Sequence, residues 1–173
     1  QGAWQNTIPL LTEACRLLPD WARPHNNLAT TYVNLERYSE AADELALATK
    51  LRPIYPLAWS NRCSVLRQLK RWSEAEHDCR HAVEQAPDFA PARLNWALTL
   101  VAQGNWEAAK SAFAAALALN PRNYDSIYFW ASALRDHGEK VAAEAEFKKL
   151  VELYPDSAEA KYELSQLRQS QAN

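Results

Sequence analysis

The chain has 173 residues, of which 48% are apolar and 23% carry a charge, and its formal net charge is −2. This apolar content supports a buried core and excludes a disordered tail, while the balanced charge excludes a basic surface for a phosphate backbone. No apolar run approaches the roughly 18 residues of a membrane-spanning helix. We therefore expect a folded domain that neither binds nucleic acid nor inserts into a membrane.

A period of 34 residues runs along the whole chain. Five prolines stand in this register, at Pro19, Pro53, Pro87, Pro121 and Pro155. All three glycines share one column, at Gly2, Gly104 and Gly138. Within each period, apolar residues recur at steps of three and four, which predicts two amphipathic helices. The glycine column fits the turn between them, and the proline column closes the second helix. A period of this length is typical of stacked units rather than one globular core.

In chain order, the register predicts the second helix of a truncated repeat at 1–19, because Gly2 and Trp4 match Gly104 and Trp106. Four full repeats follow at 22–55, 56–89, 90–123 and 124–157, and a capping helix with a charged outer face follows at 157–169. An aromatic residue opens most of the second helices, at Trp4, Tyr38, Trp72 and Trp106. Lys140 takes that place in the last repeat.

Eight columns of the register hold one kind of residue each. One unit has Trp59, Arg62, Cys63, Leu66, Ala75, Cys79, Ala82 and Pro87, and the next has Arg93, Trp96, Ala97, Leu100, Ala109, Phe113, Ala116 and Pro121. This pattern resembles the tetratricopeptide repeat family over essentially the whole chain. The resemblance implies an all-α, right-handed α-solenoid of antiparallel helix pairs. It implies a function less sharply, because one fold serves many purposes.

The first predicted helix has an apolar face that the chain itself does not cover. This face comprises Trp4, Leu10, Leu11 and Ala14. Because stable arrays cap such faces, we expect the chain to be a fragment of a longer protein. End-to-end self-association through this helix is the alternative.

In the family that the chain resembles, the first helices line a concave face. Asn27, Asn61 and Asn95 share one inward column, similar to the asparagine ladder of O-linked N-acetylglucosamine transferases and related arrays. An amide can pair with both N–H and C=O of an extended segment; the alternative is that these asparagines are solvated and inert. The predicted partner-binding residues are Asn27, Asn61, Asn95, Arg67, Leu94, Leu98, Tyr128 and Phe129. The apolar members could instead pack against the next helix. Only Asn61 matches the clamp that holds chaperone C-termini.

No arrangement of residues predicts catalysis, a cofactor or a metal. His77 and His81 are four residues apart, but an outer surface fits them better than a zinc site. His25 has no nucleophile or carboxylate predicted beside it. Cys63 and Cys79 could approach each other, although two small core residues are the simpler interpretation. Three free thiols favour a reducing compartment such as the cytoplasm.

The favoured function is a non-catalytic scaffold that binds an extended segment of a partner protein in the concave groove. The alternatives are an accessory repeat domain of a larger enzyme or export machine, such as a glycosyltransferase or polysaccharide secretion system, and a self-assembly module. The sequence does not identify the partner.

Overall fold

The structure is a computed structural model that describes residues 7–172, and the side chains of residues 7–170. This part of the chain contains ten α-helices and no strand, which confirms the all-α prediction. The helices are α1 Thr7–Leu17, α2 Ala22–Asn34, α3 Tyr38–Leu51, α4 Pro56–Gln68, α5 Trp72–Gln85, α6 Ala90–Ala102, α7 Trp106–Leu119, α8 Tyr124–Asp136, α9 Lys140–Leu153 and α10 Ala158–Ala172. They form two compact units, one ending at Ala109 and the other beginning at Lys110.

The punctuation of the sequence coincides with the helix ends. Each second helix stops two residues before its proline, as at Leu51 before Pro53 and Gln85 before Pro87. The helices α3, α5, α7 and α9 begin at the column that carries Tyr38, Trp72, Trp106 and Lys140. Proline stops these helices because its ring and missing N–H prevent the next turn. Gly2 and Trp4, the first members of their columns, lie outside the described residues.

The turn between the two helices of a pair needs a left-handed backbone. Gly104 and Gly138 have φ values of 75° and 93° there, as the sequence predicts. The same column holds Glu36 and Lys70, and each of these takes φ 59°. Side chains are strained in this region, so the turn imposes its geometry even where glycine is missing.

Alanine columns bring the helices of the first unit together. Ala29, Ala41, Ala48, Ala75 and Ala82 are fully buried, and small side chains allow close helix approach. The same columns hold fully buried alanines in the second unit, at Ala116, Ala131 and Ala143, and aromatic side chains take the larger apolar column that Leu45 occupies in the first unit. Phe113 and Phe147 are fully buried, and the Phe113 ring lies 5.0 Å from that of Trp130.

The second repeat contains a disulfide, and the prediction that its two cysteines stay reduced is wrong. Cys63 on α4 and Cys79 on α5 are bonded, with Cα atoms 5.2 Å apart and no exposure of either side chain. This Cα separation lies inside the range that a disulfide spans. Cys15 is the free cysteine. With two of its three cysteines bonded, the chain no longer favours a reducing compartment.

Arg62 departs from the apolar column that contains it, and the structure gives the reason. Its guanidinium binds both carboxylate oxygens of Asp78, at 2.5 and 2.8 Å, and also donates to Thr49 Oγ1 at 2.7 Å. Asp78 is almost completely buried. The arginine is therefore the partner of a buried charge, which is costly to bury alone.

The two ends of the described chain differ in how much apolar surface they expose. On α1, Leu10 and Leu17 are 70% and 61% exposed, and Leu11 and Ala14 are half-buried. On α10, the apolar residues Leu164 and Leu167 are buried, whereas Lys161 and Arg168 are exposed. Among residues 7–172, no helix combines the length and apolarity that crossing a membrane would require.

Candidate partner-binding surface

The first helices of three pairs, α2, α4 and α6, lie side by side in the first unit. Their shared surface, which carries Asn27, Asn61 and Asn95, is called the first-helix face below. Asn61 Nδ2 donates to Asn26 Oδ1 at 3.0 Å, and Asn95 Nδ2 donates to Ser60 Oγ at 3.0 Å. The two bonds are one repeat apart and equivalent in register. They connect neighbouring repeats, a role that the asparagine column by itself does not predict.

These bonds change what the asparagines can offer a ligand. The NH₂ groups of Asn61 and Asn95 already donate within the protein, whereas no described residue donates to either Oδ1. Asn27 is exposed. Two members of the column therefore present mainly an acceptor, which suits the N–H groups of an extended backbone.

A cavity of about 150 Å³ opens beside Asn61, between α2, α3 and α4. Its lining is half apolar and half polar, and consists of Thr30, Val33, Tyr38, Leu45, Asn61, Ser64, Val65 and Gln68. A cavity of this volume holds a benzene-sized group. Tyr38 and Leu45 belong to the second helix of the pair and were not predicted to take part, because only first helices were expected to line the face.

Arg67 stands on α4 one residue before Gln68, which lines the cavity. The side chain is half-buried, and its Nε is buried without a hydrogen-bond partner among the described residues. Burial lowers the pKa of the Arg67 guanidinium, because removal from water disfavours its charged form. A cation whose Nε is buried without a partner is costly, and any anion that reaches the guanidinium stabilises it.

The three first helices of this unit contain no acidic residue at all. They carry Arg23, Arg62, Arg67 and Arg93, whereas the acidic residues stand on helices such as α3 and α5. Arg62 is paired with Asp78, and Arg93 Nε donates to the Pro87 carbonyl oxygen at 2.9 Å. Arg23 is exposed, and the Arg67 side chain has no hydrogen-bond partner among the described residues, so the three helices carry cationic side chains and no carboxylate.

The predicted apolar residues divide between the two units. In the first unit, Leu94 is only 9% exposed, so it packs inside and offers a partner little surface, while Leu98 is half-buried. In the second unit, Phe129 on α8 is 38% exposed, and its ring lies 5.6 Å from that of Tyr128. Tyr128 is half-buried, and burial together with Glu159 and Glu163 raises the pKa of its hydroxyl.

His77 and His81 lie on α5, and their side chains are 64% and 39% exposed. Their rings stack with centroids 6.1 Å apart, and His81 meets Trp59 edge-on at 4.5 Å. Asp78 contacts a ring nitrogen of His77, and Gln85 contacts a ring nitrogen of His81. The pair is a surface feature with its own hydrogen bonds.

A second polar cluster lies in the first unit, away from the predicted residues. His25 Nδ1 on α2 lies 2.6 Å from Glu44 Oε2 on α3, and the Cys15 thiol on α1 completes a group whose donor atoms all lie within 4.8 Å of one another. The expectation that His25 has neither carboxylate nor thiol beside it is wrong. Burial raises the pKa of the Cys15 thiol, and the Glu44 charge raises it further. The three residues are 10 and 19 positions apart, so no local spacing signals the cluster.

Comparison with known proteins identifies the repeat. The sequence pattern of the tetratricopeptide repeat matches residues 26–88 and 94–158, which is well over half of the chain. The chain belongs to the tetratricopeptide repeat family. This membership confirms the predicted fold class, an α-solenoid of helix pairs, and makes the chain a member of a family of protein-interaction scaffolds. No curated protein sequence is significantly similar to it.

Solved structures of other tetratricopeptide repeat proteins are similar to this one. A thermophilic tetratricopeptide repeat protein of Thermus thermophilus, TTC0263, aligns over 96% of this chain and 91% of its own, with 19% identity and a TM-score of 0.86. MamA of Desulfovibrio magneticus RS-1 aligns over 91% and 89%, with 22% identity and a TM-score of 0.75. YrrB, described as having an unusual peptide-binding site, aligns over 92% and 82%, with 22% identity and a TM-score of 0.69.

Proposed function

We propose that this tetratricopeptide repeat protein is a non-catalytic scaffold whose first-helix face binds an extended, acidic segment of a partner protein. The observation that carries the proposal is the half-buried Arg67, whose side chain has no hydrogen-bond partner among residues 7–172, on a face whose three helices contain no carboxylate. A carboxylate from the partner would supply the negative counter-charge that the Arg67 guanidinium lacks, and a charge-assisted hydrogen bond is stronger than a neutral one.

Other features of the first-helix face would bind other groups of the partner segment. The Oδ1 atoms of Asn61 and Asn95, which accept from no described residue, suit backbone N–H groups of the partner. The 150 Å³ cavity suits one apolar side chain next to the acidic residue. A peptide-binding site is also described for the structural neighbour YrrB, which supports a peptide ligand without indicating its sequence.

Random peptides displayed on phage and selected against the full chain test the proposal. We expect the selected peptides to be enriched in Asp and Glu, and their binding to weaken with added salt. Arg67→Gln should weaken the best peptide by roughly 10- to 100-fold, which corresponds to a charged hydrogen bond of about 1.5–3 kcal/mol. Affinities are measured by fluorescence anisotropy.

Two further variants test whether the loss of peptide affinity is specific to the first-helix face. Arg80→Gln removes the same charge from an exposed position on α5 and should leave the affinity unchanged. Asn61→Ala with Asn95→Ala should weaken binding while preserving helicity, and should also cost about 1 kcal/mol of stability for each lost inter-repeat bond. Selection of neutral or basic peptides, or equal affinities of wild type and Arg67→Gln, would reject an acidic partner.

Self-association through α1 is a second proposal, favoured by the exposure of Leu10 and Leu17. We expect light scattering to give a mass above 19.6 kDa as concentration rises, because pairing would bury these leucines. Leu10→Gln with Leu17→Gln should restore the monomer. Val141→Gln, at an 83% exposed position on α9, should not. A wild-type chain that stays monomeric at every concentration would contradict the proposal.

A further inference from the structure

The cluster of Cys15, His25 and Glu44 joins the first three helices at a point that the binding surface does not use. The thiol comes from α1, the imidazole from α2 and the carboxylate from α3. We propose that these three side chains bind a zinc ion. Their donor atoms lie within 4.8 Å of one another, and bond lengths of about 2.0–2.3 Å place the donors of a tetrahedral zinc roughly 3–4 Å apart.

The set of donors points to this metal rather than to others. Zinc accepts thiolate, imidazole and carboxylate together, whereas calcium and magnesium take oxygen ligands only. Three protein donors leave the fourth position of a tetrahedral site to water or to a group from outside. The His25–Glu44 hydrogen bond of 2.6 Å holds two of the donors next to each other before a metal arrives.

The equivalent positions of the other repeats show that the cluster is specific to this one. One repeat period after the cluster, the equivalent positions hold Thr49, Trp59 and Asp78. Two periods after it, they hold Val83, Arg93 and Ala112. In the second repeat the carboxylate of Asp78 is balanced by Arg62. The first repeat has Leu28 in the place of that arginine, so His25 is the hydrogen-bond partner of Glu44 among the described residues. A divalent cation would balance the carboxylate instead.

The position of the cluster allows an ion to enter and gives it a structural effect. The side chains of His25 and Glu44 are 9% and 22% exposed, and Cys15 is half-buried, so the site lies just below the surface. None of the described residues of α1 is buried. Apolar burial therefore holds this helix weakly, and a metal that joins α1 to α2 and α3 would fasten it.

Titration of the metal-free full chain with Co²⁺ alone tests the site. Co²⁺ binds to the same ligands as Zn²⁺, and its absorption spectrum shows whether a thiolate is among them. We expect one ion per chain and a thiolate-to-cobalt charge-transfer band, both displaced by Zn²⁺. Cys15→Ser should abolish the band and weaken binding by roughly 100-fold or more, beyond the 10- to 100-fold loss typical of outer-shell changes. His25→Gln should also weaken binding. Zn²⁺ should slow hydrogen exchange in α1 of the wild type.

Matched variants separate this site from the other possible ligands. His77→Gln with His81→Gln removes the exposed histidine pair and should leave the band unchanged. Cys63→Ala with Cys79→Ala leaves Cys15 as the single cysteine and should keep the band. Circular dichroism confirms that each variant is folded. A band that survives Cys15→Ser, binding that disappears with the exposed histidine pair, or no binding at submillimolar Co²⁺ would each overturn the proposal and leave a plain His25–Glu44 contact.

Discussion

Replacement of Arg62 by methionine is expected to lower the free energy of unfolding by about 3 kcal/mol, because it strands the buried carboxylate of Asp78. Breaking a buried ion pair costs about 3–5 kcal/mol, as the remaining charge has no compensation. The lower end applies here because His77 Nδ1, 3.1 Å from Asp78 Oδ1, stays in place. Urea unfolding followed by circular dichroism measures the change from the midpoint and slope.

A double variant tests whether charge, rather than packing, causes the loss. Arg62→Leu with Asp78→Ala gives the second repeat residue types found in the same columns elsewhere, at Leu28 and Ala112. We expect its stability to lie within about 1 kcal/mol of wild type, since apolar replacement of a buried ion pair is often neutral or stabilising. Thr49 keeps its bonds to the carbonyl oxygens of Leu45 and Ala46. A double variant as unstable as Arg62→Met would show that the ion pair is not the cause.

The helices were predictable because each one is specified by several independent local signals. Glycine at position 104 indicates a left-handed turn, because glycine adopts that conformation without strain. Proline at position 53 indicates that a helix ends just before it. Glu36 and Lys70 show the limit of this logic, because they take the same left-handed conformation without glycine. The period of 34 residues, rather than the individual residue, places the turn there.

Contacts between helices were predictable only where a column was uniform. The alanine columns correctly predicted the core. A polar residue in an otherwise apolar column needs a partner, and the repeat pattern does not indicate which residue that partner is. Arg62 pairs with Asp78 sixteen residues away, a contact that no column predicted. Cys63 bonds to Cys79 at the same separation, a contact that the sequence allowed but did not favour. Asn61 uses its NH₂ group on Asn26 rather than on a ligand. Such pairings depend on the angle between helices and on which side chains are long enough to reach.

At the candidate site, too, the repeat pattern predicted some residues correctly and missed the surroundings of others. Asn61 and Arg67 were predicted from their place in the repeat. Asn61 lies on the wall of a cavity, and Arg67 Nε has no hydrogen-bond partner within the described part of the chain. Leu94 was predicted in the same way, but it is buried. Successive residues of a helix differ by about 100° in direction, so the sequence gives the direction of a leucine only to within such a step, and the packing of the neighbouring helices decides whether it is buried.

Phe113→Ala is expected to lower the free energy of unfolding by about 3–5 kcal/mol, the range for truncating a buried aromatic side chain. The residue is fully buried, and its ring lies 5.0 Å from that of Trp130. Removal would therefore leave a cavity and also expose one side of the tryptophan. Urea unfolding gives the loss, and the Trp130 environment is followed by near-ultraviolet circular dichroism.

The matched control is Phe129→Ala, which deletes the same side chain from a 38% exposed position in the same unit and should cost less than about 1 kcal/mol. Because repeat arrays are stabilised by nearest-neighbour contacts, the loss at Phe113 should also be local. Hydrogen exchange should accelerate first in α7 and α8, the helices that carry Phe113 and Trp130, before it does so in α2 and α3. Equal acceleration along residues 7–172 would instead mean that the chain unfolds as one cooperative block, as small single-core domains do.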